Sequence, residues 1–128
     1  MTEPPATFPA TVRLRSGADF ERVYSLKCKA ADGVLLLFAA RNEHGVTRIG
    51  LSVSKKHGGS VVRNRLKRWL REAFRHERPG MPLGLDLIAI PLNAERASLA
   101  SYRQSLSGLV RRLMKRVNRS EDPTTPPS

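Results

Sequence analysis

Apolar residues recur along this chain with two different periods, and the alternation between them outlines a fold. Phe20, Val23 and Tyr24 fall on one face at three- and four-residue steps after a capping-box-like Ser16-Gly17-Ala18-Asp19, which predicts a short helix near 17–26. Residues 34–40 read VLLLFAA and 47–53 read TRIGLSV, two strand-length runs divided by the polar, glycine-containing RNEHG, so a hairpin is expected there. The helical period returns where Leu66, Trp69, Leu70, Ala73 and Phe74 line one side at about 100° per residue, in a helix over 59–77 that Ser60 would cap and Pro79-Gly80 would stop. LDLIAI at 85–90 makes a third strand. Leu99, Tyr102, Leu106, Leu109, Val110, Leu113 and Val117 then make a long final helix capped by Ser98.

The resulting order, α-β-β-α-β-α without internal repeat, predicts an α+β fold: a small single-domain α-β sandwich with helices packed on a mainly antiparallel sheet, in which helix 59–77 joins two strands. With 128 residues, 40% of them hydrophobic, the chain can build one modest core and not two. The Pro-, Thr- and Ala-rich residues 1–12 and the segment RSEDPTTPPS at 119–128 read as disordered tails around a domain over 13–118.

Charge sharpens this picture. Lys and Arg number 23 against 11 Asp and Glu, a net charge of +12 and a pI near 11.2. The excess concentrates on the middle helix, where RNRLKRWLREAFR at 63–75 sets Arg63, Asn64, Lys67, Arg68, Arg71 and Arg75 opposite the apolar stripe with Glu72 as its one acid. A solvated helix face normally interleaves acids with bases; Arg63, Lys67, Arg71 and Arg75 instead repeat one sign every four residues, and each such step costs an isolated helix roughly 0.2–0.5 kcal/mol. A polyanion would relieve that repulsion, and arginine forks suit phosphate, so nucleic acid is the expected partner. Arg111, Arg112, Lys115 and Arg116 on the final helix could contact RNA as well, but bases in a last turn also suit the helix dipole.

Other chemistry finds little support. Asp19 and Glu21 diverge on a helix, Asp86 lies in a strand pattern, and His44, His57 and His76 have no ligand spacing, so neither protein catalytic residues nor a metal site are expected. Gly58-Gly59 before a helix could admit a phosphate but is more often a turn, and no Walker or dinucleotide fingerprint accompanies it. Lone Cys28 excludes an internal disulfide. No apolar run reaches the roughly 18 residues of a membrane span, and MTEPPATFPATVRLR lacks the pattern of a signal peptide, so a cytoplasmic protein without membrane partners is expected.

The segment RIGLSVSKKHGGSVVRNRLKRWLREAFR, beginning at Arg48, closely resembles the signature of the protein component of bacterial ribonuclease P. The match includes SKK at Ser54 to Lys56, RNR at Arg63, Asn64 and Arg65, and the following Lys67, Arg68 and Arg71. It continues more weakly through DFERVY at Asp19 to Tyr24 and DLIAIP into the final helix. His57 stands where that family often has an aliphatic residue, and Gly59-Ser60 replace a common Asn-Ala pair. The resemblance implies a protein subunit that assists a catalytic RNA, which uses Mg²⁺ to remove the 5′ leader of precursor tRNA. Lys55, Lys56, Arg63, Asn64, Arg65, Lys67, Arg68 and Arg71 would then bind the catalytic RNA, and Phe20, Tyr24 and Phe38 would line a cleft for the single-stranded leader. Periodicity alone would make those three aromatics core residues. Composition alone also admits a general RNA-binding or ribosome-associated protein without a processing role.

Overall fold

The computed structural model describes residues 12–14 and 16–120. Along them run α1 (Gly17–Ser25), β1 (Lys29–Ala31), β2 (Leu35–Arg41), β3 (Arg48–Leu51), α2 (Ser60–Glu77), β4 (Leu85–Pro91) and α3 (Leu99–Ser120). Short 3₁₀ turns at Lys55–His57, Arg78–Gly80 and Ala94–Arg96 connect the later elements. Ser16 caps α1 by accepting from the N–H groups of Ala18 and Asp19, and Ser98 Oγ accepts from Ser101 N at 3.0 Å at the start of α3, both as the caps in the sequence predict.

The four strands lie in the order β1-β2-β4-β3. This overturns the expected hairpin of 34–40 with 47–53: β4 inserts between β2 and β3, pairing antiparallel with the first (Phe38↔Ile88) and parallel with the second (Gly50↔Ile88). The reason is burial. Leu85 to Ala89 are buried in succession, so this strand is apolar enough on both faces to take the centre, and α2 supplies the long crossover a parallel neighbour requires. The true hairpin is β1–β2. Its turn is Asp32-Gly33, where Asp32 Oδ1 accepts from Val34 N at 2.8 Å and Leu35 N at 2.9 Å. Strand β1 is three residues long and carries no apolar run, which is why periodicity alone does not reveal it.

Two further boundaries move. Ser60 is the first helical residue of α2, and the cap is Gly59, without a side-chain bond; Gly58, at φ 137°, makes the turn before it, a conformation open mainly to glycine. Val12 is buried within the main core and α3 extends to Ser120, so the ordered domain begins before 13 and ends after 118. Residues 1–11 and 121–128, where the remainder of the expected tails falls, lie outside the described residues.

The period of two along each strand divides the sheet into two faces. Leu35, Leu37 and Ala39 of β2, Ile49 of β3 and Leu85, Leu87 and Ala89 of β4 point to the large core, where Leu66, Leu70, Ala73 and Phe74 of α2 meet Tyr102, Leu106, Leu109 and Leu113 of α3. The alternate residues point to the opposite face. There a smaller cluster of Leu14, Val23, Ala40 and Ile88 lies beneath α1, with Phe20, Tyr24, Phe38 and Ile90 packed against it.

Candidate nucleic-acid interface

A nine-residue helix cannot cover a four-stranded sheet, and what α1 leaves open is the candidate site. Val23 points straight down onto Ile88 and Ala40 and is fully buried. The flank of α1 that carries Phe20 and Tyr24 overhangs one row of the sheet. Phe20 lies over Gly50 of β3, Tyr24 meets Phe38 of β2 edge-on at 4.8 Å and 88°, and the Phe20 and Tyr24 centroids are 6.3 Å apart. Lys29 of β1 holds its Nζ 5.6 Å from the Phe38 centroid. Leu36 and Ile90, paired one register further along and only half-buried, extend the floor. All three aromatics are themselves half-buried: they pack against the small cluster on one side and keep ring surface exposed on the other.

At its β3 end this cleft becomes basic. Arg13, Lys67 and Arg71 surround Phe20, Gly50 and Leu51 around an open groove of about 360 Å³. Burial, and the neighbouring positive charge of Arg13, hold the Arg71 guanidinium below its ordinary pKa. Lys67 and Arg71 therefore join the aromatic cleft to the basic helix instead of facing away from it.

The remaining bases of α2 are distributed by the helical period. Asn64, Arg65 and Arg68 are exposed and, with Val61, line a shallow open pocket of about 390 Å³. Arg65 also lies 5.4 Å from the Trp69 ring, which is half-buried at the edge of the stripe and not inside it. Arg63 is half-buried, its Nε enclosed without a hydrogen-bond partner among the described residues. Arg75 donates to Glu72 at 2.9 Å, so the row of like charges is offset at its last step. Lys55 and Lys56 are exposed on the turn preceding α2. His57 anchors that turn: Ser54 N donates to His57 Nδ1 at 2.9 Å, and His57 Nε2 donates to Pro91 O at 2.9 Å. His57 thus ties the lysines to the end of β4 with a bond no aliphatic side chain could make.

Two features escaped the sequence. The first is Asp86, whose carboxylate is fully buried beneath the other flank of α1. Arg48 grips it with two 2.8 Å hydrogen bonds, Asn42 Nδ2 donates at 2.7 Å, and Arg22 of α1 completes the set. Burial alone would raise the carboxyl pKa; the hydrogen bonds from Arg48 and Asn42 and the two positive charges outweigh it and hold it below its ordinary value. The second is the role of the α3 arginines. The outward carbonyls of edge strand β1, Lys29 O and Ala31 O, accept from Arg116 and Arg112 respectively, the latter at 3.2 Å. These two bases close a sheet edge, which leaves Arg111 and Lys115 on the exposed side.

Several carboxylates are likewise committed: Asp86 as above, Asp32 to two backbone N–H groups, Glu72 to Arg75, and Glu77 to Arg103 at 2.6 Å. Among the described residues no three His, Cys, Asp or Glu side chains come together as a metal-binding group, and no helix is long and apolar enough to cross a membrane. Burial raises the pKa of the half-buried Cys28 thiol, an effect that the charge of Arg116 opposes.

The same architecture occurs in solved structures. The Staphylococcus aureus RNase P protein matches with a TM-score of 0.69 at 32% identity, covering 81% of this chain and 95% of that one. The RNase P protein from Thermotoga maritima matches at 0.70 with 30% identity, covering 78% and 96%. In sequence, the ribonuclease P protein component of Alkaliphilus oremlandii is 35% identical over 106 residues, 83% of this chain and 90% of the relative, and that of Brevibacillus brevis is 38% identical over 102 residues, 78% and 81%. The Ribonuclease P family model matches residues 8–114. With strand order, aromatic cleft and basic helix all in place, the chain belongs to the ribonuclease P protein family, the protein subunits of an endoribonuclease.

Proposed function

We propose that this chain assembles with a catalytic RNA and holds the 5′ leader of precursor tRNA while that RNA cleaves it. The observation that carries this reading is the continuity of two surfaces: the Phe20–Tyr24–Phe38 cleft runs into Lys67, Arg71 and Arg13, and the exposed Asn64, Arg65 and Arg68 lie on the same helix. In this reading Arg65 and Arg68 offer guanidinium forks to phosphates of the catalytic RNA, with Asn64, Arg63, Lys55 and Lys56 beside them. The half-exposed rings stack leader bases, each worth roughly 1–3 kcal/mol without a demand for sequence. Lys67 and Arg71 take the leader backbone where it leaves the rings.

The chemistry belongs to the RNA subunit, which would hold the Mg²⁺ that activates the attacking water. The commitment of Asp86, Asp32, Glu72 and Glu77 to protein partners supports that division of labour. Function in the cytoplasm, where precursor tRNA is processed, is part of the same proposal.

Reconstitution tests it. Protein plus catalytic RNA should process precursor tRNA at lower Mg²⁺ than the RNA alone, and protein freed of RNA should cleave nothing at any Mg²⁺ concentration. Site-specific cleavage by the protein alone would overturn the division of labour. Tight RNA binding without enhanced 5′ processing would favour a general RNA-binding protein instead.

A further inference from the structure

We infer that Arg22 and Asp86 are positioning residues for the leader cleft: their ion pair, reinforced by Arg48, sets where α1 stands and therefore how the rings of Phe20 and Tyr24 face the RNA. The inference rests on the cleft reading above and adds residues that never touch the leader. Its basis is the division of α1 into two flanks about the buried Val23. Phe20 and Tyr24 form the open flank, and Asp19 and Arg22 form the anchored one.

The anchored flank is held by directional bonds. Arg22 donates to Asp86 and also, through Nη1, to Arg41 O at 2.9 Å; Arg48 Nη2 lies 3.6 Å from Asp19 Oδ2 and 2.8 Å from Asp86 Oδ2. One turn of α1 is thereby tied to the end of β2, to β3 and to β4. The Asp86 carboxylate receives four donated hydrogen bonds in all, which matches the roughly four lone-pair sites it offers. By contrast Val23, the centre of the helix's apolar contact, packs non-directionally and would tolerate a small rotation or slide.

Such a slide would matter because the open flank has no slack. The Phe20 ring lies so close over Gly50 that not even a methyl group fits between them, and Tyr24 holds Phe38 edge-on. Rotation of α1 about its axis would lift one ring and press the other into the sheet. A buried ion network is in general a weak source of stability compared with apolar packing of the same volume; here its directional bonds would instead hold one arrangement of α1 against near alternatives. A site that must present two rings in register has use for that property.

The test uses the holoenzyme reconstituted with its catalytic RNA. Arg22→Met is the informative variant, because Arg22 is 38% exposed and its loss leaves Asp86 with Arg48 and Asn42. The expected result is a loss of about tenfold in the preference for precursor over mature tRNA, the worth of one well-stacked base, with mature tRNA affinity and assembly with the catalytic RNA unchanged. Arg22→Lys, which keeps one charge within reach of Asp86, should restore part of the preference. An unchanged preference in Arg22→Met would overturn the inference, as would an equal loss for precursor and mature tRNA, which would mark general unfolding. Phe20→Ala, measured beside it, separates the two levels. If Phe20→Ala lowers the preference and Arg22→Met does not, only the positioning role fails; if neither does, the cleft reading itself fails.

Discussion

Gly50 and Phe20 fit together without space for a single additional carbon: a β-carbon at position 50 would stand 2.4 Å from Phe20 Cζ and 2.9 Å from its Cε1. The backbone at Gly50 lies in a strand and needs no unusual torsion, so the glycine is present for close approach and not for conformational freedom. Gly50→Ala should therefore push the Phe20 ring outward. We expect a stability loss of about 1–3 kcal/mol from overpacking, together with a weakened preference for precursor tRNA. Thermal melting and paired affinity measurements on precursor and mature tRNA check both parts.

The two faces of α2 should respond to substitution in opposite ways. Leu70 is fully buried, and Leu70→Ala should destabilise the fold by about 2–5 kcal/mol by opening a cavity. Arg65→Ala and Arg68→Ala should leave melting nearly unchanged and weaken assembly with the catalytic RNA by about 1–3 kcal/mol each. Normal assembly in stably folded arginine variants would make the basic face a solvated surface and nothing more.

On α3 the arginines divide by role. Arg112→Ala and Arg116→Ala each remove a hydrogen bond to an outward carbonyl of β1, so each should cost about 0.5–1.5 kcal/mol of stability and leave catalytic-RNA affinity unchanged. The double variant also uncovers a sheet edge and should aggregate more readily on heating, a change that light scattering reads directly.

Tyr102 is fully buried and its hydroxyl has no hydrogen-bond partner among the described residues; burial pushes its pKa up to about 12 from 10.0. A neutral tyrosine is thus favoured in the folded state. The corresponding stability is fully present below the unfolded pKa and is lost as pH rises from about 10 to about 12, a change on the order of 2–3 kcal/mol. Tyr102→Phe should flatten that alkaline decline in a pH series of denaturant melts. At neutral pH it should be neutral or stabilising by about 1 kcal/mol, since it removes an unsatisfied buried hydroxyl.

Much of this protein follows from its sequence because the information is local. The periods of Phe20–Tyr24, Leu66–Phe74 and Leu99–Leu113 report helices whose apolar faces need a core, whatever that core contains. Positive charge on residues 63–71 without an interleaved acid points to a polyanion partner, because within this stretch nothing else offsets it. The β1–β2 hairpin was missed for the opposite reason: Asp32-Gly33 makes its turn, but the three-residue strand before it carries no apolar run to mark it.

What the tertiary structure alone decided depends on which strands become neighbours. The polar turn at 41–45 marks a reversal but does not specify a partner, and β4, buried along nearly its whole length, takes the place beside β2 at the centre of the sheet. That exchange brings Arg48, from β3, and Asn42, from the loop after β2, onto Asp86 of β4, residues separated by about forty positions in the chain. It also puts Gly50 under Phe20 and turns Lys67 and Arg71 toward the cleft. Composition and spacing determine what each segment must bury or expose; only packing, through contacts between distant segments, determines which side chains share a site.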